Sequence, residues 1–444
     1  TRGSVFRHVI IFTFPLLIGN LFQQFYNLVD SLVVGNFVGA NALAAVGTCG
    51  SLNYLIFALS SGLSVGLGIL AAQAFGAKNT GDIRRIVAGG IYILGGAGLL
   101  VSLVGYALAP GLLRLLRAPD SVLPDATVYL RLLCLGTVPV ALYNGIASIL
   151  RAMGDSRTSL YFLIAASLIN VVLDLVFVLG AGLGVFGVGL ATLISQIASF
   201  VISLVYALTR VSVFRLRREE LKFDPETVKR ALVLGIPVAA QTSIISVSTM
   251  VLQGVVNGFG ETVISGNTAA SNIEGFIYVA CNAFCQANMA FTSQNYGAGK
   301  KKRMDRVLVD CMILSVIVAV TLGGGANLFG PQLLHIYTTE ADVIACGTEI
   351  LLYTTLTYFL CGIMDLIPGA LRGMGHSAVP MILSIIGTVG TRIFWIYGVF
   401  PMHRSLMVLF LSYPASWTVT ILLQAVCFYF VRQKVHSTMP QEET

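Results

Sequence analysis

Five ionisable side chains stand inside long hydrophobic stretches of this 444-residue chain: Asp30, Asp174, Glu274, Asp365 and Arg392. In hydrocarbon each costs several kcal/mol unless paired or hydrated, so such residues mark ion or substrate handling. Asp30 and Asp174 are the two best placed for joint chemistry. If their stretches are helical, both lie about seven residues, or ~10 Å, from the same end. Tyr26 falls one turn from Asp30, and Asn170 one turn from Asp174 on the same face. Thr192, near the start of the following stretch, falls at a similar depth. Two carboxylates, an amide, a phenol and a hydroxyl at one level suit the binding of a proton or a sodium ion. Adjacent acids do not readily both ionise, so the pair can hold one shared proton. The alternative is a set of structural hydrogen bonds between helices, but Asn or Ser would make those without burying a carboxylate.

The elements that must position these groups are membrane helices. Hydrophobic residues make up 56% of the chain and charged ones 11%, with a mean hydropathy of +0.85. A soluble domain carries about 25% charged residues, so the apolar excess must face lipid. Spanning helices are predicted at 9–37, 43–75, 86–108, 127–150, 158–180, 187–210, 229–257, 262–296, 306–329, 342–371, 378–400 and 404–432. Alternate connections hold 22 of the 27 lysines and arginines. That bias predicts both termini on the cytoplasmic side of a prokaryotic inner membrane. The net charge of +7 is thereby assigned to membrane topology, and no nucleic-acid partner is expected. Arg2, Arg7 and His8 run straight into the first span, unlike a cleavable signal. The eight cysteines are scattered through apolar segments, a reduced pattern. Cys281 and Cys285 share a helix face, but without a histidine or a further cysteine they read as packing. No metal site is expected beyond sodium at Asp30 and Asp174.

The chain also contains one pattern twice. Leu150-Arg151-Ala152-Met153-Gly154 returns as Leu371-Arg372-Gly373-Met374-Gly375. Gln73-Ala74-Phe75-Gly76-Ala77 returns as Gln294-Asn295-Tyr296-Gly297-Ala298, and Asn36 and Gly39 return as Asn257 and Gly260. All are separated by the same 221 positions. Six helices per copy is an even number, so the copies share one orientation across the membrane. The expected fold is an all-α integral membrane protein of 12 transmembrane helices, two parallel six-helix repeats (6+6) around a central cleft. The expected domains are an N-lobe at 1–210, a charged cytoplasmic linker at 211–228, a C-lobe at 229–432 and a cytoplasmic tail at 433–444.

The repeat offset places Val251 opposite Asp30 and Trp395 opposite Asp174, so the carboxylate pair exists in the first half alone. Asn53 and Asn144 are the mates of Glu274 and Asp365. These four positions, polar in both halves, are expected to face the cleft, with Arg392 near them. An acidic cleft favours organic cations. For Asp365 an ion pair with Arg392, or a role near Arg372, stands as the structural alternative. Pro15 and Pro237 are near-mates, one residue off the common offset. A proline inside a membrane helix removes a hydrogen bond and bends it, so Pro15 is a candidate coupling device for the Asp30 site.

These features resemble the multidrug and toxic compound extrusion (MATE) family over nearly the whole chain. The resemblance rests on Asn27-Leu28-Val29-Asp30, on Val34-Gly35 and on Ala42-Leu43-Ala44-Ala45-Val46-Gly47. It rests equally on the two repeated motifs, on Asn170-Val171-Val172-Leu173-Asp174 and on Gly187-Val188-Gly189-Leu190-Ala191-Thr192. It implies two six-helix lobes and cation-coupled export. The DinF-like branch, with its ion site in the N-lobe, is the nearest pattern. Its site positions match Tyr26, Asp30, Asn170, Asp174 and Thr192, with Pro15 as the bending proline. Other branches place acids on helices 7 and 10. Here helix 7 has none, and Asp365 stands about one turn from the helix 10 position, where Cys361 falls.

The expected function is antiport: export of organic, cationic and lipophilic compounds driven by protons, with sodium as the alternative ion. No other cofactor and no nucleotide-binding loop is expected, and one chain is expected to work as a monomer. A flippase for a lipid-linked substrate is the alternative, although a diphosphate needs cations and this cleft offers mainly Arg392. An intramembrane enzyme is disfavoured, because all five histidines fall at predicted helix ends, in loops or in the tail.

Overall fold

A computed structural model describes residues 2–439, with the backbone alone at Ala40. The described residues form twelve long helices and no strands. They are α1 (Val5–Val38), α2 (Ala40–Gly76), α3 (Thr80–Leu115), α4 (Leu123–Leu135 and Thr137–Ala152), α5 (Arg157–Gly180) and α6 (Gly184–Arg210). The second set is α7 (Pro225–Asn257), α8 (Glu261–Gly297), α9 (Lys301–Leu328), α10 (Ala341–Thr355 and Tyr358–Gly373), α11 (Ala378–Met402) and α12 (Leu406–Thr438). Nine are long and apolar enough to cross a membrane, and α4 and α10 qualify as spans bent by 43°. The twelfth, α8, falls short of that apolarity. It matches α2 in length at 37 residues. Most predicted helices extend further at one or both ends, because helical backbone continues into polar residues beyond the apolar window. The Asn79 side chain, for example, accepts from Asp82 N–H and starts α3.

The duplication is visible in the helix boundaries. Adding 221 to the limits of α2 gives those of α8. The same shift carries Thr137–Ala152 onto Tyr358–Gly373 and the start of α3 onto that of α9. Gly39 and Gly260 cap α2 and α8 at φ 122° and 102°, a backbone geometry that side chains other than glycine rarely adopt.

The chain divides into two compact units, and the division does not fall at the linker. One unit comprises 18–239, the other 1–17 together with 240–444. The breaks lie inside α1 and α7, each two residues beyond a proline: Leu17 follows Pro15, and Ala239 follows Pro237. A missing N–H and a ring clash weaken the helix there, which is where each helix changes its packing partners.

In the unit 18–239, the first part of α7 lies directly on α2. A Cβ on Gly62 would stand 2.5 Å from Ala239 N, and one on Gly66 2.5 Å from the Ala231 carbonyl. Lipid tails are as apolar as leucine, so such helices associate through close packing rather than through removal of water. An apolar core of Val33, Val34, Cys49, Leu113, Leu130 and Val188 fills the opposite end. In the unit containing 240–444, Phe12 and Leu16 of α1 pack on Ala283 and Ala287 of α8. Those alanines are the repeat mates of Gly62 and Gly66. All eight cysteines are free.

Candidate cation site

Asp30, on α1, and Asp174, on α5, are brought together in the unit 18–239. Their carboxyls lie within interacting distance of each other. The Tyr26 phenol, one turn before Asp30, lies close to Thr192 of α6 and in the field of both acids. Asn170 Nδ2 donates to Ser195 Oγ at 3.3 Å, and Ser195 in turn donates to the Thr192 carbonyl at 2.8 Å. Asn170 and Asp174 are each 1% exposed. All five residues assigned from the sequence thus converge on α1, α5 and α6.

Local backbone geometry sets the level of both acids. Asp174 is the last α-helical residue of α5, and Leu175–Gly180 continue as a π-helical turn. Val34–Val38 form the same kind of turn just beyond Asp30. Such wide turns are concentrated at functional sites because they re-aim side chains from a helix. Three acceptor oxygens of the cluster are buried without a hydrogen-bond donor: Oδ1 of Asp30, Asn170 and Asp174. A shared proton or a small, oxygen-seeking cation is the ligand that these atoms suit.

The second unit holds the remaining intramembrane charges, and they are arranged differently. Glu274 accepts a hydrogen bond from the Thr354 hydroxyl at 2.5 Å. Asp365 lies in the field of Arg372, seven residues further along α10, and its backbone carbonyl accepts from the Cys285 thiol at 3.2 Å. Arg392 is 4% exposed and makes no ion pair among the described residues, so the alternative of an Asp365–Arg392 bridge is not realised. Of the polar mates, Asn53 is exposed and Asn144 is half-buried with an unpartnered Nδ2.

The family model for MatE matches residues 15–176 and again 237–397. The chain belongs to the MATE family. The two matches coincide with the two repeats. Among its relatives is the probable multidrug resistance protein YoeA of Bacillus subtilis, 28% identical over 99% of this chain and 96% of the relative. The multidrug export protein MepA of Staphylococcus aureus is 24% identical over 87% and 85%. The crystal structure of a MATE protein in complex with MaL6 superposes with a TM-score of 0.92 at 22% identity, covering 98% of each chain.

Two features of this MATE protein escaped sequence reasoning. Tyr129 on α4 is 6% exposed, packs in the apolar core beside Val33 and Val34, and lies in the field of Asp30, Tyr26 and Asp174. No repeat or motif marked it, and a tyrosine in an apolar run reads as packing. Arg372 was counted with the loop residues. It is in the last turn of α10, where Nη2 donates to Gln241 Oε1 at 2.6 Å.

Proposed function

We propose that this protein is a secondary exporter that couples proton entry at Asp30 and Asp174 to the export of organic, cationic and lipophilic compounds. The bias of lysine and arginine toward alternate connections supports a prokaryotic inner membrane and cytoplasmic termini. The observation that carries the proton reading is the convergence of two carboxyls with buried, unpartnered oxygens, Asp30 and Asp174, in one cluster. Two carboxylates at such close quarters do not readily both ionise, and one shared proton relieves the pair. Gain or loss of this proton changes the charge of a buried site by one unit. That is a large electrostatic input in a low-dielectric interior. The names of YoeA and MepA supply the multidrug reading, and acidic Glu274 supports a preference for cations.

Sodium is the competing ion, favoured by the three unpartnered oxygens of Asp30, Asn170 and Asp174. Reconstituted protein in liposomes decides between them. Efflux of a cationic dye is followed under an imposed proton gradient and then under an imposed sodium gradient at equal pH. Efflux under the first alone supports the proton. Efflux under the second alone replaces it with sodium, and efflux under neither removes the antiport reading. Glu274→Gln tests the cleft assignment: binding of a cationic dye is expected to weaken more than that of a neutral dye of similar size.

A further inference from the structure

The interface of α11 and α12 is a buried polar ladder with one charge in it. Ser384, Thr388 and Arg392 recur every four residues on α11, and Gln424, Thr420 and Ser416 recur in the opposite order on α12. Gln424 donates to Ser384 at 2.8 Å, Thr388 and Thr420 share a bond at 3.1 Å, and Arg392 Nε donates to Ser416 Oγ at 3.4 Å. Apart from Arg392, no member is more than 2% exposed.

Arg392 is short of acceptors. Its second bond, from Nη1 to Thr249 Oγ1, is 3.3 Å long. Both bonds lie beyond the usual range for N–H donors, and a guanidinium has five N–H groups to satisfy. The cation stands over the Tyr413 ring, 4.6 Å from its centroid. Glu274 acts on the same two phenols, Tyr358 and Tyr413, yet its carboxylate is bound by Thr354 and does not pair with Arg392. Two nearby hydroxyls are buried without a partner: Ser412, one turn from Ser416, and Ser248, next to Thr249. A guanidinium does not shed its proton to escape burial, and a buried unpaired charge costs several kcal/mol. Unused donors around such a charge are complementary to an anion.

We propose that Arg392 is the centre of an anion site in the unit containing 240–444, which takes one singly charged group, a halide ion or the carboxylate of an organic molecule. The Ser412 hydroxyl supplies a further donor. Tyr413 and Trp417 form the aromatic wall beside it, with ring centroids 5.8 Å apart.

The site carries its own reporter, because Trp395 and Trp417 are the two tryptophans of the chain. Tryptophan emission of the purified full-length protein in detergent is followed while chloride, and separately acetate, replaces sulfate at constant ionic strength. A saturable change is expected in the wild type. Half-saturation should rise at least tenfold in Arg392→Gln and about threefold in Ser412→Ala, with an intermediate shift in Arg392→Lys. Saturation by chloride identifies a free halide as the ligand. Saturation by acetate alone identifies the carboxylate of a larger molecule. Absence of saturation by either anion in the wild type overturns the proposal, as does a wild-type titration by Arg392→Gln. If Arg392→Gln does not elute as a single species, Ser412→Ala decides, and an unchanged half-saturation counts against the site. The readout is binding to purified protein, so it is independent of whether the export reading survives.

Discussion

The Arg372 guanidinium donates to Gln241 Oε1 at 2.6 Å, so the last turn of α10 grips α7 one turn beyond Pro237. Gln241 is 8% exposed and is the second residue of α7 on the far side of the break between 239 and 240. A hydrogen bond to a charged group contributes about 1.5–3 kcal/mol, more when its loss strands a buried partner. Arg372→Ala and Gln241→Leu should each lower the thermal midpoint in detergent. Their double mutant should be less damaged than the two losses added together. Strict additivity would mean that the two side chains act separately.

Asp30→Asn and Asp174→Asn should each abolish proton-driven efflux while yielding protein of nearly wild-type stability. Asparagine preserves shape and some hydrogen bonding but does not exchange a proton. Efflux is measured in liposomes under a fixed proton gradient. Full transport by both variants would remove the site. Activity surviving in Asp174→Asn alone would assign the coupling to Asp30.

Hydrophobic length, the common 221-residue spacing and the five intramembrane charges made the twelve helices and the Asp30–Asp174 cluster legible, because these are constraints of lipid and of helix periodicity. Units that divide within α1 and α7 were not legible, since a proline says where a helix is weak and not what its two segments pack against. Tyr129 was hidden because burial among apolar neighbours looks alike for a packing ring and a site ring. Arg372 was hidden by two residues of helix-end extension, enough to turn a loop charge into a half-buried helical one.

Pro15→Ala should lower transport turnover and leave ion affinity at the Asp30 site little changed. Alanine restores the N–H that bonds the carbonyl four residues earlier, which favours a continuous helix over one that breaks at Leu17. Turnover and the pH dependence of cysteine labelling in the first half of α1 are the measurements. Wild-type values for both would make Pro15 a fixed kink.

Gly66→Ala should destabilise strongly, by about 1–3 kcal/mol, because its Cβ would meet the Ala231 carbonyl at 2.5 Å and Gly235 N at 2.7 Å. Gly50, on the same helix, faces open space, and Gly50→Ala should be neutral or stabilising by up to about 1 kcal/mol. Thermal midpoints of the two variants test the contrast. Equal shifts would mean that α2 and α7 can separate without loss.

The linker should loosen in acid. Glu220 accepts the backbone N–H of Arg217 at 2.7 Å and the Arg84 guanidinium at 2.8 and 3.1 Å, which hold its carboxyl below the usual range, the backbone bond most strongly. A depressed carboxyl contributes its stabilisation above its unfolded value and loses it as pH falls through its folded value. The attachment of the linker to α3 is therefore complete at neutral pH and is lost in acid, as pH falls through that depressed value. Glu220→Gln should raise the rate of tryptic cleavage after Arg217 and Arg218 at pH 7.5. It should also flatten the acid-side fall in thermal midpoint. Unchanged cleavage would mean that the linker is held by other contacts, among them the edge-on packing of Tyr92 and Phe223.

The breaks inside α1 and α7 impose an order on synthesis. The unit that begins at Ile18 stays incomplete when its sixth helix has entered the bilayer, because its packing against Gly62 and Gly66 is supplied by 225–239, beyond the linker. Phe12 and Leu16, made before α8, find Ala283 and Ala287 only after α8 emerges. A ribosome paused in the linker holds six inserted helices with an unfilled glycine seam. The first half of the chain, expressed alone, would carry that seam permanently.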